Sequence, residues 1–186
     1  MKQRGFTVVE LMISTAAFSA VLLLISAGVI QIGRIFYKGV TVSKTQEISR
    51  TVLDKVARDL QFSAGRAETV TIAGNKKALC IGNNHYIYEI TTPISSPNDT
   101  IQFATSPLGC GGVTSGTNLL ADKMRLVSFS VESSCTQLCN INVKVAYGDP
   151  EVFLNNNPAD GCRGGRAGGH FCAISELTTS VIRRIN

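Results

Sequence analysis

Phe6-Thr-Val-Val-Glu10-Leu-Met-Ile-Ser-Thr-Ala-Ala-Phe18-Ser-Ala-Val-Leu-Leu-Leu-Ile-Ser-Ala-Gly28-Val-Ile30 is a run of about 25 residues with a single ionisable side chain, Glu10. A helix rises about 1.5 Å per residue, so roughly 20 apolar residues cross a bilayer. The run therefore predicts a membrane-spanning helix. A secretory signal peptide is the competing reading, but its apolar region is shorter and ends at a small-residue cleavage site, whereas this run leads into further helix-compatible sequence. Lys2 and Arg4 precede the run and no Asp or Glu does. The positive-inside bias then keeps the N-terminus in the cytoplasm and sends the C-terminal part across. A carboxylate inside such a span is costly and as a rule has a partner or a function, which singles out Glu10.

Beyond the run the composition changes. The chain has 186 residues, 44% hydrophobic and 17% charged, enough for one modest globular domain plus one long non-globular element. From Thr45 onward Ile48, Val52, Val56 and Leu60 recur every fourth residue, joined by Leu53, while Lys44, Glu47, Arg50, Asp54, Lys55 and Arg58 take other faces. That spacing predicts an amphipathic helix whose stripe covers a core. It is expected to stop near Ala64 and Gly65, where glycine supplies a C-terminal cap. Gly28, Gly33 and Gly39 interrupt the section between. Each lowers helix propensity by about 1 kcal/mol relative to Ala, which makes this section the expected place for bending or local melting in an assembly. No proline precedes Pro93, so any kink there belongs to glycine.

After Gly65 strand-like runs alternate with turn residues. The expected strands are Glu68–Ile72, Ala78–Ile81, Tyr86–Ile90, Thr100–Phe103, Arg125–Glu132, Asn140–Tyr147 and Cys172–Ile182. Val127, Phe129 and Val131, and again Ile141, Val143, Val145 and Tyr147, alternate with polar residues, as a sheet with one buried face requires. Antiparallel order is expected because no repeated helices intervene. The fold class is α+β: a long N-terminal helix, first transmembrane and then amphipathic, packed on an antiparallel β-sheet head that carries disulfides.

Met1-Lys-Gln-Arg-Gly5-Phe6-Thr-Val-Val-Glu10-Leu-Met-Ile resembles the prepilin cleavage and methylation signal of type IV pilin-like proteins, whose general fold is also a long helix on a β-rich head. The resemblance implies that a membrane peptidase removes the basic leader between Gly5 and Phe6 and that Phe6 becomes the N-methylated terminus. It places the family's assembly glutamate on Glu10. Gly5 suits a scissile bond, since a residue without Cβ is flexible and unobstructed. The chain then divides into a leader at 1–5, a transmembrane and filament-core helix at 6–33, an amphipathic helix at 34–65 packed on the head, and a β-rich head at 66–186. The implied partners are other pilins, prepilin peptidase and the inner-membrane assembly platform. The implied location is the cytoplasmic membrane, single-pass with the head outside, and then a cell-surface filament.

Lys55-Val-Ala-Arg-Asp-Leu-Gln-Phe-Ser-Ala-Gly65 and Leu177-Thr-Thr-Ser-Val-Ile-Arg-Arg-Ile-Asn186 resemble the W-type minor pilins of type IV pili and the J-type minor pseudopilins of type II secretion. That resemblance implies a place in a tip complex that primes assembly. A major shaft pilin, a pilin-stalked adhesin or DNA-binding tip module, and a plain bitopic membrane protein that keeps its first five residues remain as alternatives.

All six cysteines, Cys80, Cys110, Cys135, Cys139, Cys162 and Cys172, lie in the expected head. An even number outside the span suits a disulfide framework in an oxidising compartment. Six cysteines allow fifteen pairings, among which sequence does not choose. Nearest-neighbour pairing is the expectation, with Cys162–Cys172 closing a glycine-rich loop. A metal held by Cys162, His170 and Cys172 is the rival, and its spacing matches no common zinc signature. Gly161-Cys-Arg-Gly-Gly-Arg-Ala-Gly-Gly169 lacks the Gly-Lys-Ser/Thr ending of a P-loop and reads as a surface loop. Asp149, Glu151, Asn155, Asn156, Asn157 and Asp160 offer oxygen ligands to calcium, although turns use the same residues; no cofactor is expected otherwise. The net charge is +5, and loss of Lys2 and Arg4 with the leader leaves +3 on side chains. No basic cluster interleaved with aromatics accompanies it, so nucleic acid is not the expected partner. No nucleophile–base or paired-carboxylate constellation can be placed, and His85 and His170 read as ordinary strand or loop residues, so no enzyme is expected.

Overall fold

The computed structural model describes residues 7–63, 67–72, 74–90, 100–132, 138–164 and 169–184. Two compact units emerge, one up to Tyr37 and one from Lys38 onward. Helix α1 runs unbroken from Val8 to Phe62, 55 residues, through both. The expected C-terminal stop is met two residues earlier, and Ala64 and Gly65 themselves lie outside the described residues.

In the first unit α1 presents its apolar side chains outward all round, from Val8 (75% exposed) to Leu24 (75%) and Phe36 (67%). Its best 18-residue window has a mean hydropathy of 2.3, so the helix is long and apolar enough to cross a membrane. The hydroxyls here bond back to their own helix. Ser14 donates to Glu10 O, Ser19 to Thr15 O and Ser26 to Leu22 O at 2.7–2.8 Å, and Thr15 Oγ1 to Met12 O at 3.0 Å. Such i−3 and i−4 bonds remove the polar groups that hydrocarbon could not satisfy. Gly28 and Gly33 do not break the helix, and a Cβ built on either meets no atom within 4 Å.

In the second unit the amphipathic part of α1 buries Val52, Leu53, Val56 and Leu60, with Ile48 and Ala57 partly covered. The four-residue spacing read from the sequence is thus the packed stripe. Thr45 and Ser49 are buried as well, their hydroxyls donating to Thr41 O and Thr45 O.

Among the described residues the head has eight strands: β1 Ala67–Thr71, β2 Lys76–Ile81, β3 Asn84–Glu89, β4 Ile101–Thr105, β5 Thr117–Asn118, β6 Met124–Val131, β7 Leu138–Tyr147 and β8 Ala173–Ile182. All seven expected strands are present with ends shifted by a few residues, and β5, only two residues long, is additional. They make a five-stranded sheet in the order β1-β2-β3-β4-β5 and a three-stranded sheet in the order β6-β7-β8, and every pairing is antiparallel. One apolar core joins α1 to inner faces of both sheets through Leu79, Tyr86, Tyr88, Ile101, Leu126, Phe129, Ile141, Val143 and Val145.

One expectation about a face fails. Val127 was read on the same face as Phe129, but β6 slips register between Leu126 and Ser128. The extra residue of a β-bulge reverses the alternation. Leu126 and Phe129 therefore face the main core, while Val127 joins Ala146, Phe153 and Cys172 in a smaller cluster. A third cluster of Ala78, Cys80 and Ile87 is covered by Cys110 and Val113.

A polar contact pins the helix end to the larger sheet. Asp59 Oδ2 accepts from Tyr86 Oη at 2.5 Å and from Asn84 Nδ2 at 2.8 Å. One turn earlier, Lys55 Nζ lies 3.7 Å over the Phe103 ring, which packs on Tyr86. After β8 the chain returns to the helix terminus, where Arg184 N donates to Gln61 O and its guanidinium lies over the Phe62 ring. A carbonyl that the helix leaves without an internal partner is thereby satisfied.

Candidate functional site

The start of α1 is built by Thr7 and Glu10. Thr7 stands before the first helical residue, and its Oγ1 accepts from Glu10 N at 3.3 Å. Glu10 Oε2 reaches back to Thr7 N at 3.0 Å and accepts from Thr7 Oγ1 at 2.9 Å. This reciprocal arrangement is a capping box, which satisfies two backbone donors that a helix start leaves open. The carboxylate also sits at the positive end of the helix dipole. Sequence reasoning isolated Glu10 but missed Thr7; the signal was the Thr-x-x-Glu spacing directly ahead of an apolar run. Gly5 and Phe6, the expected cut and methylation positions, lie outside the described residues.

Glu10 is thus held locally, on the exposed start of a helix whose most apolar window is 0% buried within the chain. Such a surface can do one thing chemically: exchange water for lipid or for other apolar helices.

The cysteines act as staples. Cys80–Cys110 and Cys162–Cys172 are disulfides, as nearest-neighbour pairing requires. Cys139 is also disulfide-bonded, and Cys135 lies outside the described residues. Cys80–Cys110 ties the segment after β4 over the outer face of β2 and β3. Cys162–Cys172 holds Val152, Phe153 and its own two residues over Val127. Because Cys162 and Cys172 bond to each other, the metal rival with His170 loses its two thiolates.

In the 149–160 loop several of the oxygen groups already have protein partners. Asp149 pairs with Lys123 Nζ at 3.3 Å, Asn155 Nδ2 donates to Asp160 Oδ2 at 3.0 Å, and the Arg163 guanidinium donates to Phe153 O and Asn156 Oδ1. Among the described residues no group of three His, Cys, Asp or Glu side chains converges as metal ligands would. His85 is a strand residue, as read, but it is fully buried. Its Nδ1 lies 3.5 Å from Cys80 Sγ and its Nε2 3.2 Å from Ser106 O.

No curated protein and no solved structure matches the chain. The family model for the prokaryotic N-terminal methylation motif matches residues 1–26. That segment holds Lys2 and Arg4, the Gly5–Phe6 pair, the Thr7–Glu10 cap and most of the apolar run, and its match supports a type IV pilin-like family for this chain.

Proposed function

We propose that this chain is a non-enzymatic pilin subunit that prepilin peptidase cuts between Gly5 and Phe6, that is N-methylated on Phe6, and that passes from the cytoplasmic membrane into a filament. The observation that carries this reading is the methylation motif at 1–26 on a helix whose apolar window finds no cover inside the chain. In the membrane the helix is a single span with Lys2 and Arg4 inside and the head outside. In the filament the same surface packs against other pilins, which the assembly platform adds one by one.

Glu10 is the assembly residue. Cleavage creates an ammonium at Phe6, next to the Thr7 that already holds the carboxylate. In a core of low dielectric an unpaired charge is costly, so pairing of Glu10 with the ammonium of its own or a neighbouring chain selects register more than it adds stability. N-terminal sequencing of the mature protein tests the reading. Methyl-Phe6 as first residue is expected, and an intact Met1 to Gly5 would sink it.

Within this function the chain is a minor subunit of the tip complex. The likeness of residues 55–65 and 177–186 to minor pilins and pseudopilins supports this, as does a head whose disulfide-tied loops suit a position with no subunit stacked above. Quantitative mass spectrometry of sheared filaments is expected to find it at a small fraction of the main subunit. Equal or greater abundance would make it the shaft pilin instead.

A further inference from the structure

His85 lies in a cross-strand row, Glu68–Cys80–His85–Ala104, on the outer face of the larger sheet. The row runs under the segment tied down by Cys80–Cys110, in the small cluster with Ala78 and Ile87. Packing alone does not call for an imidazole at a site so fully buried. Its two nitrogens have definite roles. Ser106 O can only accept, so Nε2 carries the ring proton and Nδ1 turns its lone pair toward Cys80 Sγ, 3.5 Å away. In the finished disulfide that sulfur has no proton to give. Before the bond forms it is a thiol, and Nδ1 is the base beside it.

We propose that His85 is the general base that closes the Cys80–Cys110 disulfide of its own chain. Cys80 is 4% exposed and Cys110 is less buried, so Cys110 is the one that meets an external disulfide, that of glutathione or of a thiol–disulfide oxidoreductase. Cys110 attacks it first, forms a mixed disulfide and releases one thiol. Cys80 then gives its proton to His85 Nδ1, and the thiolate attacks Cys110 Sγ. The Cys80–Cys110 bond forms as the mixed disulfide breaks, and the departing thiolate takes up the proton from His85. Two cysteine thiols have been oxidised and one external disulfide reduced to two thiols.

The ionisable group in contact with the ring is Cys80 itself. The covering segment 106–116 contains no ionisable side chain besides Cys110. On the sheet face Glu68 ends the row beyond Cys80, and Lys76 and Glu89 sit opposite each other at the far end of the β2–β3 pair. Proton transfer from thiol to imidazole leaves the total proton count unchanged, so closure by this route persists at a pH where an unassisted thiol stays protonated.

The test uses the full-length chain, reduced in detergent micelles, oxidised with glutathione disulfide and quenched by alkylation at intervals. Peptide mapping follows each pair. Cys162–Cys172 is the internal clock, since among the described residues no side chain hydrogen-bonds its sulfurs; repeating the series in His170→Gln removes the imidazole nearest to it in sequence. Read on the decay of each pair's trapped glutathione mixed disulfide, which leaves out the first attack by an unassisted thiol, the clock is expected to slow about a hundredfold from pH 8 to pH 6 with its thiolate fraction, and the Cys80–Cys110 step by about tenfold or less. Parallel slowing of the two overturns the proposal. His85→Gln keeps a donor for Ser106 O but has no base. At pH 6.5 it is expected to slow decay of the Cys110 mixed disulfide at least about tenfold relative to the clock's, and an unchanged ratio likewise overturns the proposal. Should that variant fail to fold, the pH profile of the unaltered chain decides.

Discussion

Replacing Tyr86 with Phe tests whether the polar latch between helix and sheet holds the head together. The hydroxyl is fully buried and donates to Asp59 Oδ2 at 2.5 Å, a charge-assisted bond. Asp59 stands in the last turn of α1, where the helix dipole disfavours a carboxylate, so it depends on Tyr86 and Asn84. Loss of one bond to a charged group costs roughly 1.5–3 kcal/mol, and we expect about 2 for Tyr86→Phe. Asp59→Ala removes the acceptor of two donors and is expected to cost about 3 kcal/mol. The double variant should recover about 1.5 kcal/mol of the sum, because the second change has no bond left to break. Urea unfolding of the full chain in detergent, followed by circular dichroism, measures all four forms. A coupling below about 0.5 kcal/mol, within ordinary additivity error, would refute the latch. An alkaline arm is independent. Burial first, then the bond to Asp59 and its charge, hold the Tyr86 hydroxyl far above its ordinary 10.0, and burial raises Tyr88 too. Unfolded, each loses its proton near pH 10. The folded chain thus binds more protons above that pH. The stability is fully present below about pH 10 and falls above it, by up to about 1.4 kcal/mol per pH unit for each tyrosine. Tyr86→Phe should roughly halve that slope.

Three further outcomes follow from the head. Serine in place of both cysteines of Cys162–Cys172 or of Cys80–Cys110, with sequence separations of 10 and 30, should cost roughly 3 and 4 kcal/mol from loop length alone; equal costs in the same urea assay would count against a chain-entropy origin. Gly148→Ala should destabilise by about 2 kcal/mol or more, since Gly148 has φ +139 and its Cβ would stand 2.6 Å from Val152 Cγ2 and 3.1 Å from Phe171 O; a melting temperature within a degree or so of the parent's would contradict the packing described there. The 149–160 loop is expected to need no calcium, because Lys123 and Arg163 already supply positive charge to its oxygens. Chelation should then move the melting temperature by less than about 2 °C, and a larger fall would show a bound cation.

What the sequence made legible was whatever repeats locally. The four-residue stripe from Ile48 to Leu60 and the alternation from Ile141 to Val145 each report a buried face directly, and both are the observed core. Val127 was misplaced because a bulge shifts parity without leaving a mark in composition. Strand β5 was missed since two residues carry no period. At the N-terminus Glu10 was conspicuous as a charge in an apolar run, while Thr7 looked like one more small residue until its spacing to Glu10 is considered. The latch and the His85 contact join residues 27 and 5 positions apart. The latch is set by how α1 meets β3, which no short window of sequence contains, whereas the His85 contact follows from the tight β2–β3 hairpin that pairs Ile81 with Asn84 and so faces Cys80 with His85.

The uncovered flank of α1 has a thermodynamic side. Side chains from Val8 to Phe36 meet none of the cover that Val56 or Ile141 find in the head. For the head, folding is a property of one molecule. For this flank the favourable environment comes from outside the chain, as lipid, detergent or further copies. Its free energy therefore depends on how much of that environment is present. Melting temperatures measured on this protein should rise with detergent or protein concentration for the helix signal and stay constant for the sheet signal, so that one chain reports two different kinds of stability in a single experiment.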